Sequence, residues 1–267
     1  MEEIQYLYTK NNKIFGELKY IEHISSDYSK HFHTHFGLGL IEEGELEIVY
    51  DRANNQILDN QSIAVFNPSQ VHCSKSLKAA KYYVLFLNEQ WCKNIQENYS
   101  FKTNIVKNVD MNKALLNLFH RLICNKNLYI EEELKAIVEK MFRMHGGTNN
   151  SKESFLVSKT KSYINKCSTR SISVDEVAKH VGYNKSYLIR LFHKEVGLTP
   201  QQYILSVKVN HAKDLLTSSK NDSLSTISAN AGFFDQSHFN RNFKSHFGET
   251  AKRYKKVNIV QDTKKYI

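Results

Sequence analysis

The chain has 267 residues, 41% hydrophobic and 24% charged, with 37 Lys and Arg against 27 Asp and Glu, four Cys and two Pro. That balance excludes a disordered or collagen-like polymer, and apolar runs no longer than pieces such as Tyr82 to Leu87 exclude a helix of the ~20 apolar residues that spans a bilayer. The length suggests roughly two domains. The polar start MEEIQYLYTKNNK lacks the features of a secretory signal, and Cys73, Cys92, Cys124 and Cys167 form no CxxC pair, so a cytoplasmic protein without a disulfide framework or thiolate zinc site is predicted.

In chain order, residues 1–88 read as strands. Leu46, Ile48 and Tyr50 alternate with Glu45 and Glu47, the period-two pattern of a half-buried strand. Glu42-Glu43-Gly44 and Ala53-Asn54-Asn55 read as turns, and the runs ending at Ile41, from Ser62 to Phe66 and from Tyr82 to Leu87 add closely spaced strands. The series predicts a small β-sandwich or barrel. Two helices follow within 110–146. In Asn112 to Asn125, Leu115, Leu118, Phe119, Leu122 and Ile123 recur at helical spacing; in Ile130 to His145, Ile130, Leu134, Ile137, Met141 and Met144 step by four and three. This second stripe either packs on its own domain or forms a dimerisation seam through Ile130, Leu134, Ile137 and Met141. Gly146 to Lys152 holds no apolar residue and reads as a linker.

Charge divides the chain. Residues 1–150 carry 17 Lys and Arg and 18 Asp and Glu, whereas residues 151–267 carry 20 and 9. A basic half joined to a nearly neutral one suits a polyanion-binding module attached to a second function. The basic half also repeats itself: GYNKSYLIRLFHKEVGLTP from Gly182 aligns with GFFDQSHFNRNFKSHFGETA from Gly232. After one inserted residue near Phe234 the offset is 51, pairing Leu188 with Phe239, Arg190 with Arg241, Phe192 with Phe243, Val196 with Phe247 and Gly197 with Gly248. Each copy has a short helix (Ser173 to Val181, Leu224 to Ala231), a glycine turn and a second amphipathic helix ended by glycine. This is helix-turn-helix anatomy, written twice. Asp175 suits the first turn of the first short helix, at the positive end of its dipole. Between the copies Thr199-Pro200 opens a helix to about Ser218, a rod of roughly 28 Å, near the ~34 Å between successive major-groove openings on one DNA face.

In such units the second helix enters the major groove, with residues near its N-terminus at the base edges. Leu188, Leu191 and Phe192 set the buried face of copy one, and Phe239 and Phe243 that of copy two. The DNA face then presents Lys185, Ser186, Ile189, Arg190 and His193 in the first copy, and Gln236, Ser237, Asn240, Arg241 and Lys244 in the second. The chain uses 30 Lys and 7 Arg, yet both copies place Arg at the corresponding position. A guanidinium can pair with guanine O6 and N7 or clamp a phosphate, which an ammonium cannot do with that geometry; the plainer alternative is a solvated surface Arg. Gln236 and Asn240 carry amides able to pair with adenine. Lys185, Lys194, Lys208 and Lys244 would be nonspecific phosphate contacts.

The stretch from about Lys159 to Lys256, about 100 of the 267 residues, resembles the DNA-binding domain of the AraC/XylS family of bacterial transcription regulators. The resemblance rests on Lys208-Val209, Ala212, Leu216, Ile227, the Ala231-Gly232-Phe233 turn, Phe239, Phe243 and Phe247-Gly248. Ala251 stands where the family usually has proline, whereas Pro200 fills the equivalent place in copy one. The resemblance implies base contacts from Ser186, Ile189 and Arg190, and from Gln236, Ser237, Asn240 and Arg241. Ile189 departs from the polar residue common there and could touch a thymine methyl.

In the first half, His31, His33 and His35 alternate in HFHTH and would share one face of a strand. With the Gly44 turn and with His72 after Pro68, the pattern resembles the cupin-type sensing domain of many AraC-family members. A metal site from His33, His35 and His72 is a weak alternative, because Gly39 and Leu40 occupy the region where metal-binding cupins carry a Glu. A ligand pocket lined by His33, His35, His72, Phe36 and Phe66 is the stronger expectation.

The resulting expectation is an α+β protein: a cupin-like effector and dimerisation domain over 1–147, a linker over 148–154, a double helix-turn-helix domain over 155–258 and a tail over 259–267. It would be an effector-controlled transcription regulator and, in the family's manner, an activator, a homodimer with duplex DNA, a small molecule and RNA polymerase as partners. No cofactor and no membrane are expected. A metal-dependent cupin enzyme with a DNA-binding appendage is the competing reading.

Overall fold

The computed structural model describes residues 2–8, 13–24, 27–50, 54–97, 100–125, 129–147, 153–219 and 221–256. The strands are β1 (Glu2–Tyr8), β2 (Ile14–Ile24), β3 (Tyr28–His31), β4 (Phe36–Glu43), β5 (Leu46–Tyr50), β6 (Asn54–Leu58), β7 (Ser62–Phe66), β8 (His72–Ser76), β9 (Ala80–Leu87) and β10 (Ile105–Lys107). The helices are α1 (Glu89–Ile95), α2 (Val109–Cys124), α3 (Glu131–His145), α4 (Phe155–Lys166), α5 (Val174–Val181), α6 (Lys185–Val196), α7 (Pro200–Ser218), α8 (Leu224–Asn230) and α9 (Gln236–Phe247). Residues 251–256 are also helical. The chain divides into two compact units, one of Met1–Asp27, His33–Gln70 and Ser74–Asn150, the other of Tyr28–Phe32, Val71–Cys73 and Ser151–Ile267.

The first unit is built on an antiparallel sheet in the order β1-β2-β9-β4-β7-β10, with a β5–β6 hairpin beside it. Register explains how the sheet serves two cores. Leu38 lies opposite Val65 and Leu85, and Leu40 opposite Ile63 and Tyr83, so these side chains share one face and pack with Leu115, Leu118 and Phe119 of α2 and with Leu134, Val138 and Met141 of α3. Gly39 lies opposite Ala64 and Val84, and the face it shares carries Ile41, Ala64, Phe66 and Tyr82 against Leu46, Ile48, Tyr50 and Leu58. A strand buried on both faces needs no polar alternation, which is why Ile63 to Phe66 in β7 is a continuous apolar run.

Several expectations change here. The α3 stripe is buried in the unit's own core: Ile130, Leu134 and Met141 are all below 5% exposed, and Ile137 packs half-buried against the same cluster. The predicted dimerisation seam is therefore covered within the chain, because the barrel sheet offers α3 an apolar partner. Asn54 and Asn55 begin β6 rather than forming a turn, while Ala53 lies outside the described residues. Residues 148–152 of the predicted linker and 257–267 at the C-terminus also lie outside them. The sequence reading missed α1, whose first turn is capped by Asn88.

The second unit is helical, with Tyr28–Phe32 and Val71–Cys73, which include β3 and the start of β8, grouped with it. Its first helix pair, α5–α6, buries Val177, Val181, Leu188 and Phe192; its second, α8–α9, buries Ile227, Phe239, Phe243 and Phe247. The helix between them, α7, starts with a capping box in which Thr199 and Gln202 exchange hydrogen bonds. Its Tyr203 meets Phe192 edge-on, and its Lys213 lies over Phe247. The connecting rod therefore forms part of the core on both sides.

Candidate nucleic-acid interface and histidine cluster

The two helix pairs share local chemistry. In the first, the Ser173 hydroxyl accepts from the Glu176 N–H, Gly182 turns the chain at φ +83°, and the Asn184 side chain accepts from the N–H groups of Ser186 and Tyr187. In the second, Ser223 caps α8, Gly232 turns at φ +74°, and the Asp235 carboxylate accepts from the His238 N–H at 2.6 Å. Left-handed Gly197 and Gly248 end α6 and α9. The caps at Asn184 and Asp235 keep the 51-residue offset of the sequence alignment. One inserted residue, Phe234, lies just before the second cap and is 96% exposed.

With Leu188, Phe192 and Val196 buried, α6 exposes Lys185, Ser186, Arg190, His193 and Lys194, and leaves Ile189 half-buried. On α9, Gln236, Ser237, Arg241 and Lys244 are exposed and Asn240 is half-buried. The two arginines nevertheless have different surroundings. The Arg190 guanidinium lies 5.8 Å from the centre of the Tyr187 ring, which stacks on Tyr183 at 5.8 Å between centres. Among the described residues no ring partners Arg241, and His238, the residue aligned with Tyr187, meets Phe233 edge-on instead. The sequence reading passed over Tyr183 and Tyr187, although their spacing of four and the further step of three to Arg190 mark a helical neighbourhood.

Lys208 has a different role from that predicted, and Lys185 has an acidic partner. Lys208 is buried, and its ammonium donates to the Gly232 carbonyl at 2.5 Å. Burial holds its pKa below the usual lysine range. It is thus a strut between α7 and the second turn rather than a phosphate contact. Lys185 forms a 2.7 Å ion pair with Asp175, so the Asp175 carboxylate faces that ammonium as well as the α5 dipole. Nearby, Glu176 is drawn below the usual carboxylate range by the Arg170 guanidinium and then by the Tyr163 hydroxyl.

The histidines do not form the predicted single-strand face. The strand β3 ends at His31, and His33 and His35 lie in the connection to β4. His33 is buried against Phe86, and His35 sits near the Thr34 hydroxyl, in the first unit. His72 groups with the second unit. Phe36 cannot line a pocket between the barrel's sheets, because it packs on Phe101 and Phe142 in the core shared with the helices. Phe66 does lie on the other face, beside Tyr50.

Within the second unit, His31, His72 and His246 come together. The His31 ring centre is 4.5 Å from that of His72 and 5.0 Å from that of His246, and all three side chains are buried. His31 Nδ1 lies 2.6 Å from the Ser29 carbonyl, and His246 Nε2 lies 3.0 Å from the Ser206 hydroxyl. Burial lowers the His31 pKa to about 4, and burial together with His31 and His72 lowers that of His246 well below the ordinary value.

Comparison with known proteins accords with this arrangement. An AraC-like ligand binding domain matches residues 17–140, and a helix-turn-helix domain matches residues 177–256. Over 93 residues the chain is 30% identical to the multiple antibiotic resistance protein MarA of Escherichia coli, covering 35% of this chain and 72% of that one. The chain belongs to the AraC/XylS family. Another AraC/XylS relative is the Msm operon regulatory protein of Streptococcus mutans, 31% identical over 123 residues; the match spans 46% of this chain and 44% of that protein, less than half its length. The fold is similar to that of ToxT from Vibrio cholerae, which superposes with a TM-score of 0.59 at 13% identity, covering 96% of this chain and 97% of ToxT.

Proposed function

We propose that the chain is a sequence-specific transcription regulator that reads duplex DNA through α6 and α9 and responds to a small effector held by its first unit. The observation that carries this reading is the repeated presentation of one exposed Arg per recognition helix, at matched positions over matched caps and left-handed glycines. The operon-regulating and resistance relatives support the same reading. Base contacts are assigned to Ser186, Ile189 and Arg190 and to Gln236, Ser237, Asn240 and Arg241; Lys185, Lys194 and Lys244 supply phosphate contacts. His33 and Phe66 remain as effector-side residues of the first unit. Activation through RNA polymerase, a homodimeric state and a cytoplasmic location are part of the same proposal, by analogy with the family. Among the described residues no helix is long and apolar enough to cross a membrane.

The domain organisation proposed with this function is a sensing domain to residue 147, a linker over 148–154 and a DNA-binding domain over 155–258. The competing enzyme reading would need a metal held by His33, His35 and His72. Selection from a random duplex pool tests the proposal. The full-length protein should enrich one short site of about two adjacent groove segments, and its affinity for that site should fall steeply with salt. Enrichment of no sequence over the starting pool would reject it.

A further inference from the structure

The second helix-turn-helix turn holds one aromatic more than the first. In the first, Tyr183 alone separates Gly182 from the capping Asn184, and its ring stacks on Tyr187. In the second, Phe233 and Phe234 both stand between Gly232 and the capping Asp235. Phe233 takes the packing role: it is buried, with its ring against His238 and Phe239. Phe234 contributes nothing to that core and is the most exposed large apolar side chain among the described residues. A single exposed apolar side chain is ordinary on a protein surface; what sets Phe234 apart is its position and its mount. It directly precedes the cap of α9, beside the exposed Gln236 and Ser237 of the first turn. Side chains on a helix tilt toward its N-terminus, so the exposed face of α9 leans toward Phe234. Both of its flanks are anchored. On one side the Phe233 N–H donates to the Ser228 carbonyl at 3.0 Å, and the Gly232 carbonyl accepts from the buried Lys208. On the other, the Asp235 carboxylate accepts from the His238 N–H, and its carbonyl accepts from the Ser228 hydroxyl at 3.3 Å. The ring is thus held out on a fixed backbone at the end of the helix where base edges are read.

From this geometry we propose that Phe234 is a specificity-determining residue that packs against the 5-methyl group of a thymine in the major groove entered by α9. The inference rests on the assignment of α9 to that groove. Among the four bases only thymine shows a methyl group there, and apolar contact is the means by which a side chain without donor or acceptor selects a base. Against guanine, adenine or cytosine the phenyl ring would cover polar edge groups without offering them a hydrogen bond, which is unfavourable. The second helix pair therefore combines two kinds of readout: hydrogen bonds from Gln236, Asn240 and Arg241, and an apolar contact from the residue that its longer turn adds.

The test uses the full-length chain and the duplex that it enriches from a random pool. Each thymine of that duplex is replaced in turn by deoxyuridine, which deletes the methyl group and keeps every hydrogen-bonding group. At one position the unaltered chain should lose about fourfold in affinity, the effect of one buried methyl. Phe234→Ala should bind the intact duplex about tenfold more weakly and show no further loss at that position, whereas Phe234→Leu should keep most of both effects. Because Phe234 lies outside the core, the urea midpoint of each variant should match that of the unaltered chain. Arg241→Ala separates the two levels of the reading. If neither Arg190→Ala nor Arg241→Ala relaxes any base preference, the groove assignment fails and the Phe234 contact fails with it. If Arg241→Ala relaxes a preference but no methyl-dependent loss disappears in Phe234→Ala, the groove assignment stands and the Phe234 proposal is overturned. A loss in Phe234→Ala that is equal for all sequences would assign the ring to the sugar-phosphate backbone and also overturns it. So does unchanged DNA binding accompanied by lost transcription, the mark of a protein partner.

Discussion

The two helix-turn-helix units share a skeleton and differ in how they hold their arginines. In the first, Arg190 rests over Tyr187, itself stacked on Tyr183, while Lys185 is paired with Asp175. In the second, no ring partners Arg241 among the described residues, amide side chains share the exposed face, and a fully exposed Phe234 precedes the cap. Duplication thus preserved what makes a helix pair fold: caps, left-handed glycines and the buried aromatic or aliphatic stripe. The surface that determines recognition diverged. A preoriented guanidinium loses less side-chain freedom on binding, so the first unit is expected to discriminate more sharply at the base its arginine reads.

The largest tests concern the shared skeleton. Phe192→Ala and Phe243→Ala each remove a fully buried ring and should cost about 3–5 kcal/mol, seen as a lower urea midpoint; markedly unequal losses would mean that the two cores are not equivalent. The glycines should separate the units next. A Cβ at Gly182 meets nothing within 4 Å, whereas at Gly232 it falls 3.0 Å from the Arg170 backbone. Gly182→Ala should therefore cost roughly 1–2 kcal/mol from its left-handed conformation alone, and Gly232→Ala about 3 kcal/mol in the same urea experiment.

At the recognition surface, Arg190→Ala and Arg241→Ala should each cost about 1–3 kcal/mol of DNA affinity and relax preference at single base positions, measured by binding to a panel of single-substituted sites. Unchanged preference in both variants would refute the groove assignment. A finer contrast is Tyr187→Leu. It should weaken binding by ~0.5–1 kcal/mol, confined to the base position that Arg190→Ala relaxes, with Tyr187→Phe close to the unaltered chain. The smallest effects belong to Lys194→Ala and Lys244→Ala, each lowering the slope of log affinity against log salt by about one without altering sequence preference.

Periodicity and punctuation made the helical unit legible almost to the residue. Thr199-Pro200 announced α7, and the glycines announced the ends of α5, α6 and α9, because caps and left-handed turns are set by residues adjacent in the chain. The first unit was read more coarsely. Its strand series was visible, but HFHTH was taken for one strand when β3 stops at His31, and Phe36, expected to line a ligand pocket, packs in the core shared with the helices. Both depend on where neighbouring strands pair, and a one-residue shift in that pairing exchanges the faces. The α3 stripe shows the same limit: its spacing requires a partner and does not name one.

The sequence by itself determined the duplicated DNA-reading design, its caps and turns, and the matched arginines, since each is written within a few residues along the chain. Only the tertiary structure decided that Lys208 is a buried strut, that Tyr187 cradles Arg190 in one copy alone, and that His31, His72 and His246 gather in one place. The histidines stand more than 40 and 170 positions apart, and nothing in local spacing encodes a meeting across such distances; it arises from packing, where burial and hydrogen bonds act between residues that the chain keeps far from one another.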